Sequence, residues 1–284
     1  MIYQIEGNKI IITEIEDFNP QHILDCGQVF RYQQINSGYK IFSQNLFCSL
    51  IYDKDRVIIE TTDINYFVTY FDLDRDYGAI KQHLLGYQKM RAPIEHGSGI
   101  RILNQDKAEM IISFIISANN NIPRIKTIIE RLCSAIGQDM GDYRAFPTVE
   151  ALAQQDEAFY RSIGAGYRAN YLVSTARALR EGFNLNCEAM SYTEARKHLM
   201  KLKGIGGKVA DCILLFGYHR QDACPTDVWI ERAFIYLFGE TTITREAMSK
   251  KLSEHFGGLG GYAQQYLFYY IREKNNQKIS KVEE

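Results

Sequence analysis

The segment Leu202-Lys203-Gly204-Ile205-Gly206-Gly207-Lys208-Val209-Ala210-Asp211 joins two stretches whose apolar residues have helical spacing. Glycine permits positive φ angles and close approach of a ligand to the backbone, so Gly204 and Gly206 predict a tight helix–hairpin–helix over about 193–218. The N–H groups that open the second helix, at Val209 among them, point outward and can bind an anion such as a phosphate. An ordinary helix–helix corner remains the alternative.

Backbone carbonyls of the same turn offer a second kind of site. Those of Met200, Leu202 and Ile205 could hold a hard monovalent or divalent cation between the protein and a phosphate. Oxygen ligands suit such hard cations. We expect no redox cofactor or catalytic metal to be required.

Lys208 stands in the first turn of the second helix, where the helix dipole disfavours a cation. The same field, together with partial burial, predicts a lowered pKa for its amine. A neutral amine is a nucleophile and can form a Schiff base with a sugar C1′. An exposed or phosphate-contacting lysine is the alternative.

Asp227 follows Pro225-Thr226 and precedes another helical stretch. We expect it to cap that helix and to return beside Lys208. A fixed carboxylate there can stabilise a developing oxocarbenium ion and assist proton transfer. A lysine nucleophile with an aspartate is the chemistry of a bifunctional DNA glycosylase, whereas a plain N-cap is the alternative.

Composition and charge fit a folded protein, with 46% hydrophobic and 24% charged residues. Residues 1–80 carry 6 Lys and Arg against 12 Asp and Glu, whereas residues 81–208 carry 18 against 12. A basic middle suits a polyanion partner, although on charge alone we favour scatter among solvated helix faces. No CxxC pair, bilayer-length apolar run or signal peptide is visible, so we expect no membrane partner and a default cytoplasmic compartment.

The patterning predicts a mixed α+β protein: a twisted antiparallel sheet domain at residues 1–90, then a helical region at 91–284. Three hairpins are predicted, pairing Ile2–Ile5 with Lys9–Thr13, Phe30–Ile35 with Tyr39–Ser43, and Leu46–Tyr52 with Arg56–Thr61. Nine helices are predicted over Lys107–Ala118, Pro123–Ile136, Val149–Gln154, Arg168–Arg180, Tyr192–Leu202, Lys208–Tyr218, Val228–Phe238, Arg245–Phe256 and Gly261–Lys274.

The LKGIGGKVADC and PTD segments resemble the helix–hairpin–helix, Gly/Pro–Asp superfamily of base-excision enzymes, and within it the 8-oxoguanine DNA glycosylase/AP lyases. The resemblance runs from the β-rich start to the last helix. Five motifs match in order: Gly27-Gln28-Val29-Phe30-Arg31, Asn119-Asn120-Asn121-Ile122-Pro123-Arg124, Gly164-Ala165-Gly166-Tyr167-Arg168, Lys208 with Cys212, and Gly261–Phe268. Chance agreement at five ordered places is rare.

The resemblance implies a base pocket. The Gly27 carbonyl would accept the N7–H that 8-oxoguanine has and guanine lacks, and Cys212 would pack on one face of the flipped base. Gln264 would bind the Watson–Crick edge, and Phe268 would stack on the other face. Taken singly, these residues also fit a turn glycine, a buried cysteine and an amphipathic helix.

The resemblance also implies the contacts to duplex DNA. Asn119 would enter the gap left by the extruded base, Tyr167 would wedge into the stack, and Arg124 and Arg168 would read the estranged cytosine. A C-capping loop and a surface pair are the alternatives. Family members often carry a phosphate-contacting histidine where this chain has Trp229, which puts that contact in doubt.

We therefore expect a monomer that binds 8-oxoguanine-containing duplex DNA and excises the base, preferably opposite cytosine. It would act in the cytoplasm at the nucleoid if bacterial and in the nucleus if eukaryotic. No iron–sulfur cluster is expected, because no cysteine follows Cys224. The rivals are a glycosylase for alkylated or oxidised pyrimidine bases and a non-enzymatic lesion-binding protein.

Overall fold

The computed structural model describes residues 2–13 and 15–280. Its N-terminal part is a six-stranded antiparallel sheet in the order β1-β2-β6-β5-β4-β3. The strands are β1 Tyr3–Glu6, β2 Lys9–Ile12, β3 Tyr32–Ile35, β4 Gly38–Ser43, β5 Leu46–Asp53 and β6 Arg56–Thr61. The three predicted hairpins are confirmed, as β1–β2, β3–β4 and β5–β6.

One face of this sheet is covered by two helices, α1 Pro20–Asp25 and α2 Ile64–Tyr70. Alternating apolar residues on the strands, such as Ile10, Leu50 and Ile59, are fully buried in a core that also holds Ile23 and Phe67. Side chains alternate between the faces of a strand, so this pattern gives the sheet one apolar face. The core positions α1 and the loop that follows it, which contains Gly27.

The remainder of the chain is helical. Its helices are α3 Tyr77–Leu85, α4 Arg91–His96, α5 Lys107–Ser117, α6 Ile122–Ile136, α7 Val149–Ala153, α8 Glu157–Ser162, α9 Ala169–Arg180, α10 Tyr192–Leu199, α11 Gly207–Gly217, α12 Val228–Phe238, α13 Arg245–His255 and α14 Gly260–Ser280. All nine predicted helices are present, whereas α1 to α4 and α8 were not predicted. None of the helices in the described part of the chain is long and apolar enough to span a bilayer.

Helix α5 lies at the centre of the helical region. Its residues from Glu109 to Ser117 are buried, and it packs against α6, α9 and α11. Asp106 caps it by accepting the N–H of Glu109, as its position before the apolar run predicts. The packing of α5 on α11 places the Lys208 Nζ 5.7 Å from the ring centroid of Phe114 in α5.

The sheet and the helical region share buried polar contacts. Arg101 is fully buried and donates to the carbonyls of Asp17, Phe71 and Arg75. Glu109 accepts the N–H of Gln44 at 2.9 Å. Residues beyond position 90 thus pack into the N-terminal core, and the domain boundary at 90 stays a prediction.

Candidate active site

A cavity of about 640 Å³ opens between the end of α1, the start of α11, the start of α12 and the middle of α14. It is lined by all six residues predicted for catalysis and base recognition: Gly27, Lys208, Cys212, Asp227, Gln264 and Phe268. These residues come from four separate segments. The fold brings these four segments together at one cavity, which no single sequence motif could show.

The hairpin places Lys208 at the cavity. Helix α10 ends at Leu199, three residues earlier than predicted, because the chain turns and Gly204 adopts a φ of +90°. A Cβ at Gly204 would lie 2.7 Å from the Tyr171 ring, so only glycine fits there. Gly206 precedes α11 without a side-chain cap, and nothing lies within 4 Å of where its Cβ would be. Gly206 is exposed, so a ligand can approach the backbone just before α11.

Asp227 caps α12 as predicted. Its Oδ1 accepts the N–H of Trp229 at 2.9 Å and that of Ile230 at 3.1 Å. Two bonds to one oxygen fix the carboxylate at the cavity wall. Trp229 also lines the cavity, and the Arg232 guanidinium lies 4.6 Å from its ring centroid.

The pKa of Lys208 departs from the sequence-based expectation. Burial lowers it, but the neighbouring Cys212 and Asp227 side chains raise it, and the raising effects dominate. Burial also raises the pKa of the Cys212 thiol to about 11, so this thiol is neutral near pH 7. The prediction of a lowered lysine pKa is therefore wrong, because the Cys212 and Asp227 side chains together outweigh the effect of burial. In the free protein Lys208 is an ammonium ion.

The base-pocket residues of α14 lie one turn apart on one helix face, as their spacing predicts. Gln264 is 5% exposed, and its Oε1 is buried with no hydrogen-bond partner among the described residues. Phe268 is partly exposed at the cavity. A buried amide oxygen without a donor is costly, and a ligand that supplies one would remove that cost.

Gly27 lies against Phe268 in the cavity wall. Its φ is +80°, and a Cβ built on it would lie 3.1 Å from Cε1 of Phe268 and 3.7 Å from Nη1 of Arg272. A side chain at residue 27 would therefore displace the Phe268 ring. Arg272, one turn beyond Phe268, lines the same cavity and was not predicted. Its i, i+4 spacing from Phe268 was the signal in the sequence.

The residues predicted to contact DNA form a separate surface cluster at the end of α5. Asn119 is exposed and has a φ of +50°. Tyr167 is 50% exposed and donates its hydroxyl to the Ala118 carbonyl at 3.2 Å. Arg124 is exposed, and its Nη2 lies 3.5 Å from the Gly164 carbonyl. The two predicted loop motifs, about 45 residues apart, are thus adjacent.

Arg168 belongs to this cluster but is only 3% exposed. Its Nε donates to the Ala118 carbonyl at 2.7 Å, and its Nη2 donates to the Asn119 carbonyl at 2.8 Å. Its guanidinium carbon lies 4.5 Å from the Tyr167 ring centroid. In this state Arg168 fixes the backbone that presents Asn119.

The three hairpin residues whose carbonyls were predicted to hold a cation differ in exposure and in hydrogen bonding. The Leu202 carbonyl accepts the N–H of Ile205 at 3.2 Å, which leaves it one further lone pair. Met200 is 40% exposed, and the Ile205 side chain is buried. These oxygens have the hardness that a monovalent or divalent cation needs, and the cation itself stays a prediction.

Comparison with known proteins gives the same fold and family. Residues 10–111 match the family model of the 8-oxoguanine DNA glycosylase N-terminal domain, and residues 112–257 match that of the HhH-GPD superfamily of base-excision DNA repair proteins. An N-glycosylase/DNA lyase of Saccharomyces cerevisiae is 34% identical over 252 residues, which are 74% of this chain and 66% of the yeast protein.

Two solved structures are also similar. The 8-oxoguanine glycosylase/lyase of Clostridium acetobutylicum, in complex with DNA containing cytosine opposite 8-oxoguanine, has a TM-score of 0.91 and 36% identity, and the match covers 97% of this chain and 99% of that one. MBOgg1, in complex with a low-affinity DNA ligand, has a TM-score of 0.90 and 37% identity, with coverage of 97% and 100%. The resemblance and fold class predicted from sequence are confirmed, and the chain belongs to the 8-oxoguanine DNA glycosylase family, whose members are N-glycosylase/DNA lyases of base-excision repair.

Proposed function

We propose that this N-glycosylase/DNA lyase excises 8-oxoguanine in its 640 Å³ cavity. Lys208 is the nucleophile, and Asp227 stabilises the transition state. The observation that carries the proposal is the presence of both residues in one cavity with Gly27, Gln264 and Phe268. A cleft built only to hold DNA would not need an amine and a carboxylate beside the base site.

Because its raised pKa keeps Lys208 charged in the free protein, the chemistry begins with transfer of a proton from its ammonium group to water. The freed amine attacks C1′ of the damaged nucleotide, the C1′–N9 bond breaks, and the base leaves with the electron pair and takes up a proton. Asp227 stabilises the oxocarbenium-like transition state through its negative charge. The sugar ring then opens to a Schiff base on Lys208. Loss of a C2′ proton expels the 3′ phosphate by β-elimination.

Base recognition in this proposal uses groups that the free protein leaves unsatisfied. The Gln264 Oε1 would accept from the Watson–Crick edge, and the Gly27 carbonyl would accept N7–H. Cys212 and Phe268 would cover the two faces of the ring. Flipping costs a few kcal/mol, and stacking with these hydrogen bonds offsets it.

Duplex DNA would lie across the hairpin and the surface cluster. The N–H groups at Gly206 and Val209 would bind a phosphate, together with a cation on the carbonyls of Met200, Leu202 and Ile205. Asn119 and Tyr167 would fill and wedge the gap, and Arg124 and Arg168 would read the estranged cytosine. We further propose that the protein acts as a monomer without a membrane partner, at the nucleoid if bacterial or in the nucleus if eukaryotic.

Single-turnover excision from a panel of duplexes tests this function. The panel contains 8-oxoguanine opposite cytosine, 3-methyladenine opposite thymine, thymine glycol opposite adenine, and undamaged DNA. We expect 8-oxoguanine to be released at least tenfold faster than the other bases. Faster release of 3-methyladenine or thymine glycol would favour the rival glycosylases, and tight binding without release of any base would favour a non-enzymatic lesion binder.

A further inference from the structure

Arg272 carries an unused hydrogen-bond donor in the active-site cavity. Its Nη1 is buried and has no partner among the described residues, although the side chain lines the cavity. Its other terminal nitrogen, Nη2, donates to the Asp25 carbonyl and lies 3.3 Å from Oε1 of Glu273. The guanidinium is therefore anchored at one end, and its other end is left without an acceptor.

The free end of this guanidinium lies where Gly27 and Phe268 meet. Nη1 is 3.7 Å from the position that a Cβ of Gly27 would occupy. The guanidinium carbon lies 5.2 Å from the centroid of the Phe268 ring. Nη1 thus lies at the part of the cavity wall that contains Gly27 and Phe268.

The chemistry of the damaged base fits a donor at this place. 8-Oxoguanine differs from guanine by two adjacent groups, an N7–H donor and a C8 carbonyl acceptor. If the Gly27 carbonyl accepts N7–H, the O8 oxygen lies beside Gly27 on the same edge of the base. A buried donor without an acceptor is costly, and a charge-assisted bond to an acceptor is among the stronger hydrogen bonds.

We propose that Nη1 of Arg272 donates to O8 of the flipped base, which makes Arg272 a specificity-determining residue for the oxidised purine. The proposal rests on the function proposed above, because it needs 8-oxoguanine in this cavity. Gly27 and Arg272 together would then read both groups that distinguish 8-oxoguanine from guanine.

The test compares two bases that differ only in this acceptor. In 8-thioguanine the N7–H is kept, and sulfur, a weaker acceptor, replaces O8. Single-turnover excision of each base opposite cytosine is measured for the wild type, Arg272→Met and Arg272→Lys. The matched control is Lys274→Met, which removes an exposed positive charge from the same helix. Cleavage of a preformed abasic site is measured in parallel.

We expect the wild type to excise 8-oxoguanine at least tenfold faster than 8-thioguanine, and Arg272→Met to reduce that ratio to about two. Arg272→Lys should give an intermediate ratio of the two excision rates, and Lys274→Met should give the same ratio as the wild type. Every variant should cleave the abasic site at a rate within about twofold of the wild-type rate. An equal loss on both bases in Arg272→Met would assign the residue a structural role and overturn the proposal, as would unchanged excision of 8-oxoguanine. A wild type that excises neither base would instead contradict the proposed function.

Discussion

The ring of Phe268 lies so close to Gly27 that a single added carbon at residue 27 would meet its Cε1 at 3.1 Å. In the proposed complex a flipped purine would lie with one face on the Phe268 ring and one edge at the Gly27 carbonyl. A side chain at residue 27 would therefore displace the ring on which the base is proposed to stack. This relationship makes the pocket sensitive to the smallest substitution.

Gly27→Ala should reduce 8-oxoguanine excision at least tenfold while abasic-site cleavage persists, because the methyl group narrows only the base site. A non-glycine residue at a φ of +80° should also cost about 1 kcal/mol of stability. The matched control is Gly182→Ala, where φ is +91° and nothing lies within 4 Å of the added carbon. Equal excision by Gly27→Ala and Gly182→Ala would show that residue 27 does not border the base.

Asp227→Asn should shift the pH dependence of Schiff-base formation to lower pH. The Asp227 charge is one cause of the raised Lys208 pKa, so its removal favours the neutral amine at lower pH. Asparagine caps helices about as well as aspartate, which keeps the change in stability within about 0.5 kcal/mol. The measurement is borohydride trapping on abasic DNA across a pH series. A midpoint that stays or moves upward would contradict the assigned charge interaction.

Glu109 should make the protein less stable as the pH rises. Burial raises its pKa to about 7, against the lowering effects of Arg31 and of the Gln44 N–H. Above about pH 4.5 the unfolded state releases a proton that the folded state keeps. The contribution of the protonated Glu109 to the free energy of unfolding is therefore complete below pH 4.5 and is lost as the pH rises through 7. Relative to Glu109→Gln, the free energy of unfolding of the wild type should fall by about 3 kcal/mol between pH 4.5 and pH 7. Urea unfolding at several pH values measures this free energy. If it changed equally with pH in the wild type and in Glu109→Gln, the assigned role of Glu109 would be refuted.

Arg124→Ala should weaken the preference for cytosine opposite the lesion. Its exposed guanidinium can donate to N3 and O2 of cytosine once the damaged base has left. A lost base-specific pair is worth about 1–3 kcal/mol, or roughly tenfold or more in discrimination. The measurement is single-turnover excision with each of the four opposite bases. Arg131→Ala, an exposed arginine of the same helix, is the control. Equal wild-type rates opposite adenine and cytosine would remove the opposite-base role.

The period-2 pattern predicts the strands, and the period-3.6 pattern predicts the helices from α5 onward except α8. It does not reveal α1 and α4, which are six residues each and carry a proline in or near the first turn. Such short helices are held by packing on the sheet and on α14 rather than by their own periodicity.

Some features of the site could likewise be predicted from local sequence, and others could not. Asp227 as a cap and the shared face of Gln264 and Phe268 follow from local spacing. The burial of Arg168 does not, because its acceptors at Ala118 and Asn119 lie about 50 residues away in sequence. The direction of the Lys208 pKa failed for a related reason, since it depends on how strongly Cys212, one turn along the helix, and Asp227, from another helix, together oppose burial.

The central claim is that Lys208 is the nucleophile that carries the Schiff base. It is tested by borohydride trapping with a duplex containing 8-oxoguanine opposite cytosine, for the wild type, Lys208→Gln and Lys203→Gln, an exposed lysine of the same hairpin. We predict a covalent protein–DNA complex for the wild type and Lys203→Gln, and none for Lys208→Gln although it still binds the duplex. An undiminished covalent complex in Lys208→Gln would contradict the account.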